Sequence, residues 1–502
     1  MSSVIQHDVI VVGSGIAGMR CALEIKRNAP KADVAIVTKQ YPVRAASVVE
    51  RTGIAAALGN SSSDSVEAHI SDTLAYGKSN NAAAVKALCE QAPAAVYELE
   101  HMGLPFSRLK SGRIAQQVGY GHSQPRLANA GDQTGHAIVT TLYGEVVRFG
   151  IKVYPEWFML GLVVEGKNVR GVSVLDIRSS EIEVINAKVT VLATGSYGQL
   201  YATSSDSYAS TGDGHAAALR AGINLIGMDL VNFHPLGVAN TGLIINEQVL
   251  ADGAHLLNAS EKRFTNEQAS LAEVTAAVNA EIAAGRGVDG HVWLDVRHLP
   301  TSQIRERYPH LLDYAEDFAG VNPNHDFIPV KPTQQSSLGG LPTDLNGSVA
   351  GFEGLYAVGA CANNGVHGEQ ALPGNELAAA VVFAKLAGAA IADKLGAASY
   401  GNVPSYATSN ASDEIEGLFG QKGSHKLGLV RKNLRQAFNS QAHTAASDEQ
   451  HVGLVHSLRE QFGQIALHDK NRRFNTELLE ALELDRLLDV ADAVAKASVA
   501  AL

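Results

Sequence analysis

The sequence predicts an α/β fold with a parallel sheet at its centre, an inserted domain and a helical C-terminal domain. Three observations predict it. A short apolar strand, a glycine-rich turn and a helix follow one another over residues 9–28. A further buried strand follows much later, at residues 355–359, and from about residue 400 the pattern is purely helical. Because strand–helix–strand units form parallel strands with right-handed crossovers, we expect such a sheet to hold the first part of the chain together.

Composition narrows the class of protein. A chain of 502 residues exceeds what a single core usually supports, which favours two or three domains. Its net charge is −11 and its basic residues are scattered, so nucleic-acid binding is not expected. Cys21, Cys89 and Cys361 are too few and too far apart for a disulfide framework, a zinc site or an iron–sulfur cluster. We therefore predict no metal site in this chain.

The N-terminus and the hydropathy pattern bear on location. The first residues enter a strand pattern at once, without the basic and apolar regions of a secretory signal. We find no apolar run of about 18 residues, the length of a membrane span. The sequence predicts a cytoplasmic protein that reaches a membrane only through a partner.

The first strand–helix junction carries the motif Gly13-x-Gly15-x-x-Gly18. Gly13 permits a tight turn, Gly15 lets a pyrophosphate approach the backbone, and Gly18 allows close packing of helix on strand. The N-terminus of the helix then offers free N–H groups and a partial positive charge to the phosphates. The junction predicts a Rossmann-like domain that binds a dinucleotide through residues 13–18.

The second strand, residues 32–38, ends in an unusual way. An Asp or Glu usually stands there to hold a ribose hydroxyl, but this chain has Thr38 and Lys39. Thr38 can hydrogen-bond a ribose more weakly, and Lys39 can face a phosphate. The alternative is that both residues simply end the strand.

Changes of pattern divide the rest of the chain. Residues 152–176 resemble a hairpin and residues 187–194 a buried strand, whereas residues 236–335 have fewer sheet runs and more helix. An alanine-rich helix covers residues 376–394. We predict a nucleotide-binding domain over residues 1–235 and 336–397, an inserted α+β domain over 236–335, and a helical domain over 398–502.

Further motifs follow one another in order along nearly the whole chain. They include Asp132-x-Thr134-Gly135-His136, Thr211-Gly212-Asp213-Gly214, Phe233-His234-Pro235, Gly339-Gly340-x-Pro342-Thr343, Tyr356-Ala357-Val358-Gly359 and Val366-His367-Gly368. Their order and spacing resemble the flavoprotein subunits of succinate dehydrogenase and fumarate reductase, a superfamily that includes L-aspartate oxidase.

The resemblance implies an FAD-binding domain that is split by a capping domain and followed by a helical domain. Substrate would lie between cap and flavin, and hydride would pass to or from flavin N5 in a site from which the cap excludes water. The positions that the resemblance assigns to FAD are Gly13, Ser14, Gly15, Ile16, Ala17, Gly18, Thr38, Lys39, Arg44, Ser47, Gly53, Asp213, Ala360, Asn375, Glu376 and Leu377.

Three of the cofactor positions depart from the family pattern. Ala46 stands where succinate dehydrogenases carry the histidine that bonds FAD covalently, so we expect noncovalent FAD. Ala360 replaces a glutamate at the flavin ribose. Glu376 replaces a serine at a helix start, where a carboxylate disfavours a negatively charged flavin unless it turns away.

The substrate positions depart further. By the resemblance, Leu250 and Ala371 replace the proton-transferring and the carboxylate-clamping arginine, Gln335 replaces a histidine, and Asn246 replaces a hydroxyl residue. A dicarboxylate needs buried cations, since unpaired buried charges cost several kcal/mol. Tight binding of succinate or fumarate is therefore not expected.

Two histidines of the family pattern remain, His234 and His367. We take them as catalytic candidates together with Gln335 and Asn246, which can donate hydrogen bonds. Further acid–base candidates near the same motifs are Glu247, Asp252, His255 and Glu369.

Three hypotheses stay open. The first is an FAD oxidoreductase for a small molecule other than a simple dicarboxylate. The second is a divergent succinate dehydrogenase, fumarate reductase or L-aspartate oxidase, with a cation supplied by Arg44, Arg113 or Arg126. The third is a flavin-binding electron-transfer or assembly subunit without substrate chemistry. An iron–sulfur electron-transfer subunit is a possible partner by the resemblance.

Overall fold

The fold is taken from a computed structural model that describes residues 4–439 and 445–500. The strands are β1 (Val4–Val12), β2 (Val34–Thr38), β3 (Ile54–Ala55), β4 (Gln116–Gln117), β5 (Leu127–Ala128), β6 (Lys152–Pro155), β7 (Trp157–Glu165), β8 (Asn168–Asp176), β9 (Ile182–Leu192), β10 (Val231–Val238), β11 (His255–Leu257), β12 (Val292–Asp295), β13 (Ile328–Ser337), β14 (Leu341–Pro342), β15 (Leu355–Ala357) and β16 (Ala362–Asn363). The helices are α1 (Ile16–Asn28), α2 (Val66–Gly77), α3 (Ala82–His101), α4 (Thr134–Arg148), α5 (Asp213–Arg220), α6 (Gln248–Ala251), α7 (Leu271–Ala283), α8 (Thr301–Arg307), α9 (Pro309–Asp313), α10 (Asn375–Leu395), α11 (Tyr406–Gly420), α12 (Leu427–Ala437), α13 (Ala445–Phe462) and α14 (Thr476–Ala500).

A seven-stranded sheet forms the centre, in the order β6-β2-β1-β9-β8-β7, with β15 paired to β9. The strands β6, β2, β1, β9 and β15 are parallel, whereas β7 and β8 form an antiparallel hairpin that continues the sheet beyond β9. This confirms the predicted parallel core, the hairpin within residues 152–176 and the returning strand near residue 355. The α/β fold of the prediction is therefore the fold of the protein.

Local sequence explains the first βα unit. Val9, Ile10 and Val11 are fully buried because helices or further strands cover both faces of the sheet at this point. Helix α1 spans Ile16–Asn28, the range that its apolar pattern predicts, and its last turn carries Lys26 and Arg27, which complement the helix dipole. One face of α1 packs on α10.

Helix α10 corrects one expectation about hydropathy. It is long and apolar enough, by length and composition, to cross a membrane, although we expected no such segment. Much of it is buried inside the protein, where Val381, Phe383 and Ile391 pack in the core that it shares with α1. The composition of α10 therefore matches that of a core helix.

The inserted segment contains more sheet than its sequence suggests. An antiparallel sheet in the order β10-β13-β12-β11 carries α7 on it, around a core that includes Leu236, Val278 and Leu294. Strands β11 and β12 have only three and four residues, too few to show a clear period. The predicted boundaries at 235 and 336 fall inside β10 and β13, which pair with each other.

The C-terminal helices α11–α14 pack against one another and against the central sheet. Helix α14 contacts α5, where the Arg220 guanidinium lies 2.7 Å from Asp485 and 2.6 Å from Asp489. Arg486 is fully buried and donates to the carbonyl oxygen of Leu160 at 2.9 Å. These ion pairs and hydrogen bonds fix the helical segment to the hairpin and to α5.

Candidate functional site

A first cavity of about 270 Å³ opens at the carboxyl ends of the parallel strands. Val12 and Thr38 close β1 and β2, Ala193 follows β9, and Val358 follows β15, and all four line the cavity. Open α/β sheets bind their ligands at this edge. We name this space the cofactor cavity.

The three motif glycines have separate roles in its wall. Gly13 has φ +115°, and a Cβ there would lie 2.0 Å from the carbonyl oxygen of Ala193. A Cβ on Gly18 would lie 2.0 Å from the carbonyl oxygen of Gly13. Gly15 lines the cavity, where a Cβ would lie 3.3 Å from Ser47 Oγ. Gly13 and Gly18 therefore allow close backbone packing, and Gly15 keeps the cavity wall open.

The N-terminus of α1 fits a negatively charged group. Its capping residue, Gly15, forms no side-chain cap, and no acidic residue stands in the first turn. Ser14, Ile16 and Ala17 line the cavity beside it. Uncapped amides at a helix start bind phosphate well, so the donor set suits the diphosphate of a dinucleotide.

The sequence left the roles of Thr38 and Lys39 undecided between cofactor binding and the end of a strand. Ser14 Oγ and Thr38 Oγ1 are 2.9 Å apart, so the Thr38 hydroxyl already has a partner. The Lys39 ammonium lies 2.9 Å from Asp213 and 2.9 Å from Glu483 of α14. Lys39 lines the cofactor cavity, but its charge is already paired with these two buried carboxylates.

The other cofactor candidates fall into four groups. Arg44 is exposed and does not line the cavity, Gly53 lines a second cavity, and Asn375 is buried behind the wall, where it binds His69 and Thr73. The candidates that line the cofactor cavity are Ser47, Asp213, Ala360, Glu376 and Leu377. Ala46, at the position of the family's covalent bond, and His367, a catalytic candidate, line it as well. Ala46 has no nucleophile. The Nδ1 of His367 is buried without a partner in the described residues, and burial lowers the pKa of this histidine to about 4.

A second cavity of about 240 Å³ adjoins the first. Gln335, Ser336, Glu376 and Leu377 line both cavities, as does Glu50. Helix α7 of the inserted domain supplies one wall. We name this space the substrate cavity, because it lies between the inserted domain and the cofactor cavity. Its remaining lining residues include Thr52, Tyr76, Val231, Phe233, Glu247, Leu271, Ala272, Thr275, Ala276 and Ala371.

His234 lies behind this cavity and Glu247 lies in its wall. The backbone N–H of Leu236 donates to His234 Nδ1 at 3.1 Å, which places the ring proton on Nε2. Nε2 faces Glu247 Oε2 at 3.4 Å. Burial acts to raise the pKa of Glu247, but the hydrogen bond from His234 holds it below its usual value. The acid–base group that reaches the cavity is Glu247, and His234 orients it.

Glu50 is a site residue that the sequence reasoning missed. It follows a 3-10 helix, Ala46–Val49, and lines both cavities. Burial, with the negative charges of Glu376, Asp206 and Glu247, raises its pKa to about 8. The only signal in the sequence is a charged residue directly after the apolar pair Val48-Val49.

A hydrogen bond from β13 holds the carboxyl group of Glu376. Ser336 Oγ donates to its Oε2 at 2.8 Å. Burial raises the pKa of Glu376 to about 6, although this hydrogen bond opposes the rise. The carboxyl group lies at the junction of the two cavities and carries a proton more readily than an exposed glutamate does.

Several residues chosen from the sequence lie elsewhere. Asn246 is exposed, and its Oδ1 accepts from the backbone N–H of Gln248 at 2.9 Å. Leu250 is fully buried in the core of the inserted domain and does not line the substrate cavity, whereas Leu271 and Leu377 do. Asp252, His255 and Glu369 line neither cavity.

The three arginines considered as substitute cations also lie outside both cavities. Arg126 is fully buried and lies 2.9 Å from Asp64, with a second ion pair to Asp72. Arg44 and Arg113 are exposed. Within residues 4–439 and 445–500, no lysine, arginine or histidine lines the substrate cavity.

Comparisons with known proteins agree with this geometry. A family model described as "FAD binding domain" matches residues 8–377, and one described as "Fumarate reductase flavoprotein C-term" matches residues 432–500. The succinate dehydrogenase flavoprotein subunit of Rickettsia felis is 33% identical over 97% of this chain and 87% of its own. Among solved structures, an E. coli quinol fumarate reductase is 28% identical with TM-score 0.92, over 98% of this chain and 89% of its own. Mycobacterium smegmatis Sdh1 in complex with UQ1 is 32% identical with TM-score 0.91, over 98% and 87%.

Proposed function

Because the chain belongs to the family of succinate dehydrogenase and fumarate reductase flavoprotein subunits, which are FAD-dependent oxidoreductases, we propose that its substrate is a small organic molecule other than a simple dicarboxylate. FAD is the cofactor of this family of enzymes, and when bound it supplies or accepts a hydride. The N-terminus of α1 and the wall of the cofactor cavity would hold it without a covalent bond, since Ala46 offers no nucleophile.

The charge of the substrate cavity carries this proposal. Glu50, Glu247 and Glu376 line it, and no basic side chain does so in the described part of the chain. Burying a carboxylate without a cation costs several kcal/mol, and a second negative charge nearby adds to that cost. A dicarboxylate would bring two such charges into this cavity.

The residues of the chain have three tasks in such a reaction. Glu247, held by His234, can take a proton from the substrate or return it through Oε1, the oxygen that does not face His234. Helix α7 forms one wall of the cavity and limits contact with water from that side. Gln335, which lines both cavities, can orient a polar substrate group by hydrogen bonding.

Two other functions remain as alternatives. A divergent succinate dehydrogenase, fumarate reductase or L-aspartate oxidase would need a cation that Arg44, Arg113 and Arg126 do not supply from their positions. A flavin-binding electron-transfer or assembly subunit would need no substrate cavity, whereas one of about 240 Å³ adjoins the cofactor cavity.

Electrons also need an acceptor. The described residues contain no group of three or more metal-ligating side chains, and the cysteines are free and buried. We propose a separate electron carrier, for which an iron–sulfur subunit is the candidate that the family suggests. Membrane association would then come through that partner.

The experiment uses the protein purified with excess FAD. We expect a yellow protein, release of all flavin into the supernatant on acid precipitation, and no change in the flavin spectrum with millimolar succinate, fumarate or aspartate. A saturable change with any of these dicarboxylates would overturn the proposed substrate class. A flavin that no organic donor reduces would favour the subunit without substrate chemistry, and a colourless protein would contradict FAD binding itself.

A further inference from the structure

The cofactor cavity and the substrate cavity share a wall. The residues that line both are Glu50, Gln335, Ser336, Glu376 and Leu377. Hydride passes only between atoms about 3–3.5 Å apart, so the reactive ring of bound FAD has to reach this wall. The diphosphate would lie at the N-terminus of α1, a helix that contributes to the cofactor cavity alone. The shared wall therefore surrounds the ring where it meets the substrate.

Glu376 is anchored at this wall. Ser336 Oγ donates to its Oε2 at 2.8 Å. Asn375, the residue before it, is fully buried; its Oδ1 lies 2.9 Å from His69 Nε2, and its Nδ2 donates to Thr73 Oγ1 at 3.0 Å. These bonds fix both the carboxyl group and the backbone that carries it, so the charge of Glu376 is held beside the bound cofactor.

The other acidic groups near this wall add to the negative charge of Glu376. Asp206 lines the cofactor cavity and accepts hydrogen bonds from two serine hydroxyls, which are neutral. Glu50 shares the wall, and Glu247 lines the substrate cavity. Burial raises the pKa of Glu376 to about 6; the hydrogen bond from Ser336 opposes the rise, and the charge of Asp206 adds to it. One more negative charge nearby would bring this pKa into the neutral range.

The cations that could offset such a charge are already paired or carry no proton. Among the described residues, Lys39 is the only lysine or arginine that lines either cavity, and it pairs with Asp213 and Glu483 at 2.9 Å each. His367 lines the cofactor cavity, but burial lowers its pKa to about 4, so its ring is neutral at neutral pH. Tyr76, in the substrate cavity, also stays neutral because burial raises its pKa.

Reduction places a negative charge on the cofactor. A hydride brings two electrons and one proton, so bound FAD gains one negative charge. That charge is costly beside a carboxylate, and a proton that binds to the carboxylate removes the cost. Two effects follow. FAD is harder to reduce than it would be beside a neutral amide, and its reduction draws a proton into the wall.

We propose that Glu376 takes up a proton when bound FAD is reduced and gives it back when the hydride is passed on. The proton comes from the solvent and forms a bond to Oε1, the oxygen that Ser336 does not hold. Where Glu376 is ionised beforehand, its charge lowers the reduction potential of the cofactor. The inference needs bound FAD but no particular substrate, so it goes beyond the proposed substrate class.

The test measures the reduction potential of the FAD-loaded protein from pH 5 to pH 8.5, by equilibration with reference dyes during slow enzymatic reduction. Glu376→Gln keeps an oxygen that accepts from Ser336 but cannot bind the proton. We expect nearly equal potentials for this variant and the unmodified protein at pH 5, where Glu376 is protonated. At pH 8.5 the equilibrium constant for two-electron reduction should be at least about tenfold larger in the variant, which is a potential about 30 mV higher.

Two more variants complete the test. Glu480→Gln removes a carboxylate from an exposed position of α14, and its potential should follow that of the unmodified protein at every pH. Ser336→Ala removes the hydrogen bond that favours the ionised form of Glu376. Its potential should therefore exceed that of the unmodified protein between pH 6 and pH 7.5, where more Glu376 is protonated. This comparison tests the proposal even if Glu376→Gln binds no FAD.

Three results would overturn the role of Glu376. They are equal potentials of Glu376→Gln and the unmodified protein at pH 8.5, a difference of the same size at pH 5 and pH 8.5, and an equal difference in Glu480→Gln. The substrate class is tested separately by the titration with succinate, fumarate and aspartate, so the two proposals can fail independently.

Discussion

The ionisation of Glu50 should make the stability of the protein fall as the pH rises. Its pKa in the folded protein is about 8, against an ordinary value of 4.5. Between these values the folded state keeps a proton that the unfolded state has lost. The stabilising contribution is therefore complete below about pH 4.5 and is lost as the pH rises to about 8. Glu50→Gln has no proton to lose, so its stability should lack this component.

The size of the effect follows from the two pKa values. A difference of about 3.5 pH units corresponds to about 5 kcal/mol, at about 1.4 kcal/mol per unit. The unfolding entropy of a 502-residue chain is about 1 kcal/mol/K, at about 2.1 cal/mol/K per residue. Glu50→Gln should therefore melt about 5 °C above the unmodified protein at pH 9 and at nearly the same temperature at pH 5.

Differential scanning calorimetry of the FAD-free protein at half-unit steps from pH 5 to pH 9 measures this difference. Glu480→Gln serves as the control for net charge, because it removes a carboxylate that is exposed. A melting difference between Glu50→Gln and the unmodified protein that stays constant from pH 5 to pH 9 would refute the reasoning. So would a difference that grows equally in the control.

Two further substitutions test the cofactor cavity and the buried ion pairs. Gly13→Ala should lower the flavin content per chain and destabilise the protein by about 3–5 kcal/mol, because its Cβ would overlap the carbonyl oxygen of Ala193 at a strained φ. The control is Gly144→Ala, in an exposed turn of α4 with open space around the added Cβ; it should be neutral or stabilise the protein by about 0.5–1 kcal/mol. A similar loss of stability and flavin content in both variants would contradict this argument. Arg126→Met should lower the free energy of unfolding in urea by about 3–5 kcal/mol, since Asp64 stays buried without its cation. The flavin spectrum should stay unchanged, and an altered spectrum would place Arg126 in the site.

The first βα unit shows what the sequence determined by itself. The strand, the glycine turn and α1 are contiguous, and each depends on properties that can be read locally: apolar runs, backbone freedom at Gly13 and the period of the helix. The same holds for the hairpin β7–β8 and for the helical C-terminal segment. The family motifs added the cofactor, because residues that bind FAD occur in short fixed patterns.

The substrate cavity shows what only the tertiary structure decided. The family resemblance placed Leu250 at the site, yet it is buried in the core of the inserted domain, and the leucines that line the cavity are Leu271 and Leu377. Glu50 was not predicted, and the ion pairs of Lys39 with Asp213 and with Glu483 of α14 could not be read from the sequence, which left its role open. Charge in a cavity depends on which side chains from distant segments point inward together. Packing between domains sets the direction of these side chains, and a local sequence pattern carries no information about that packing.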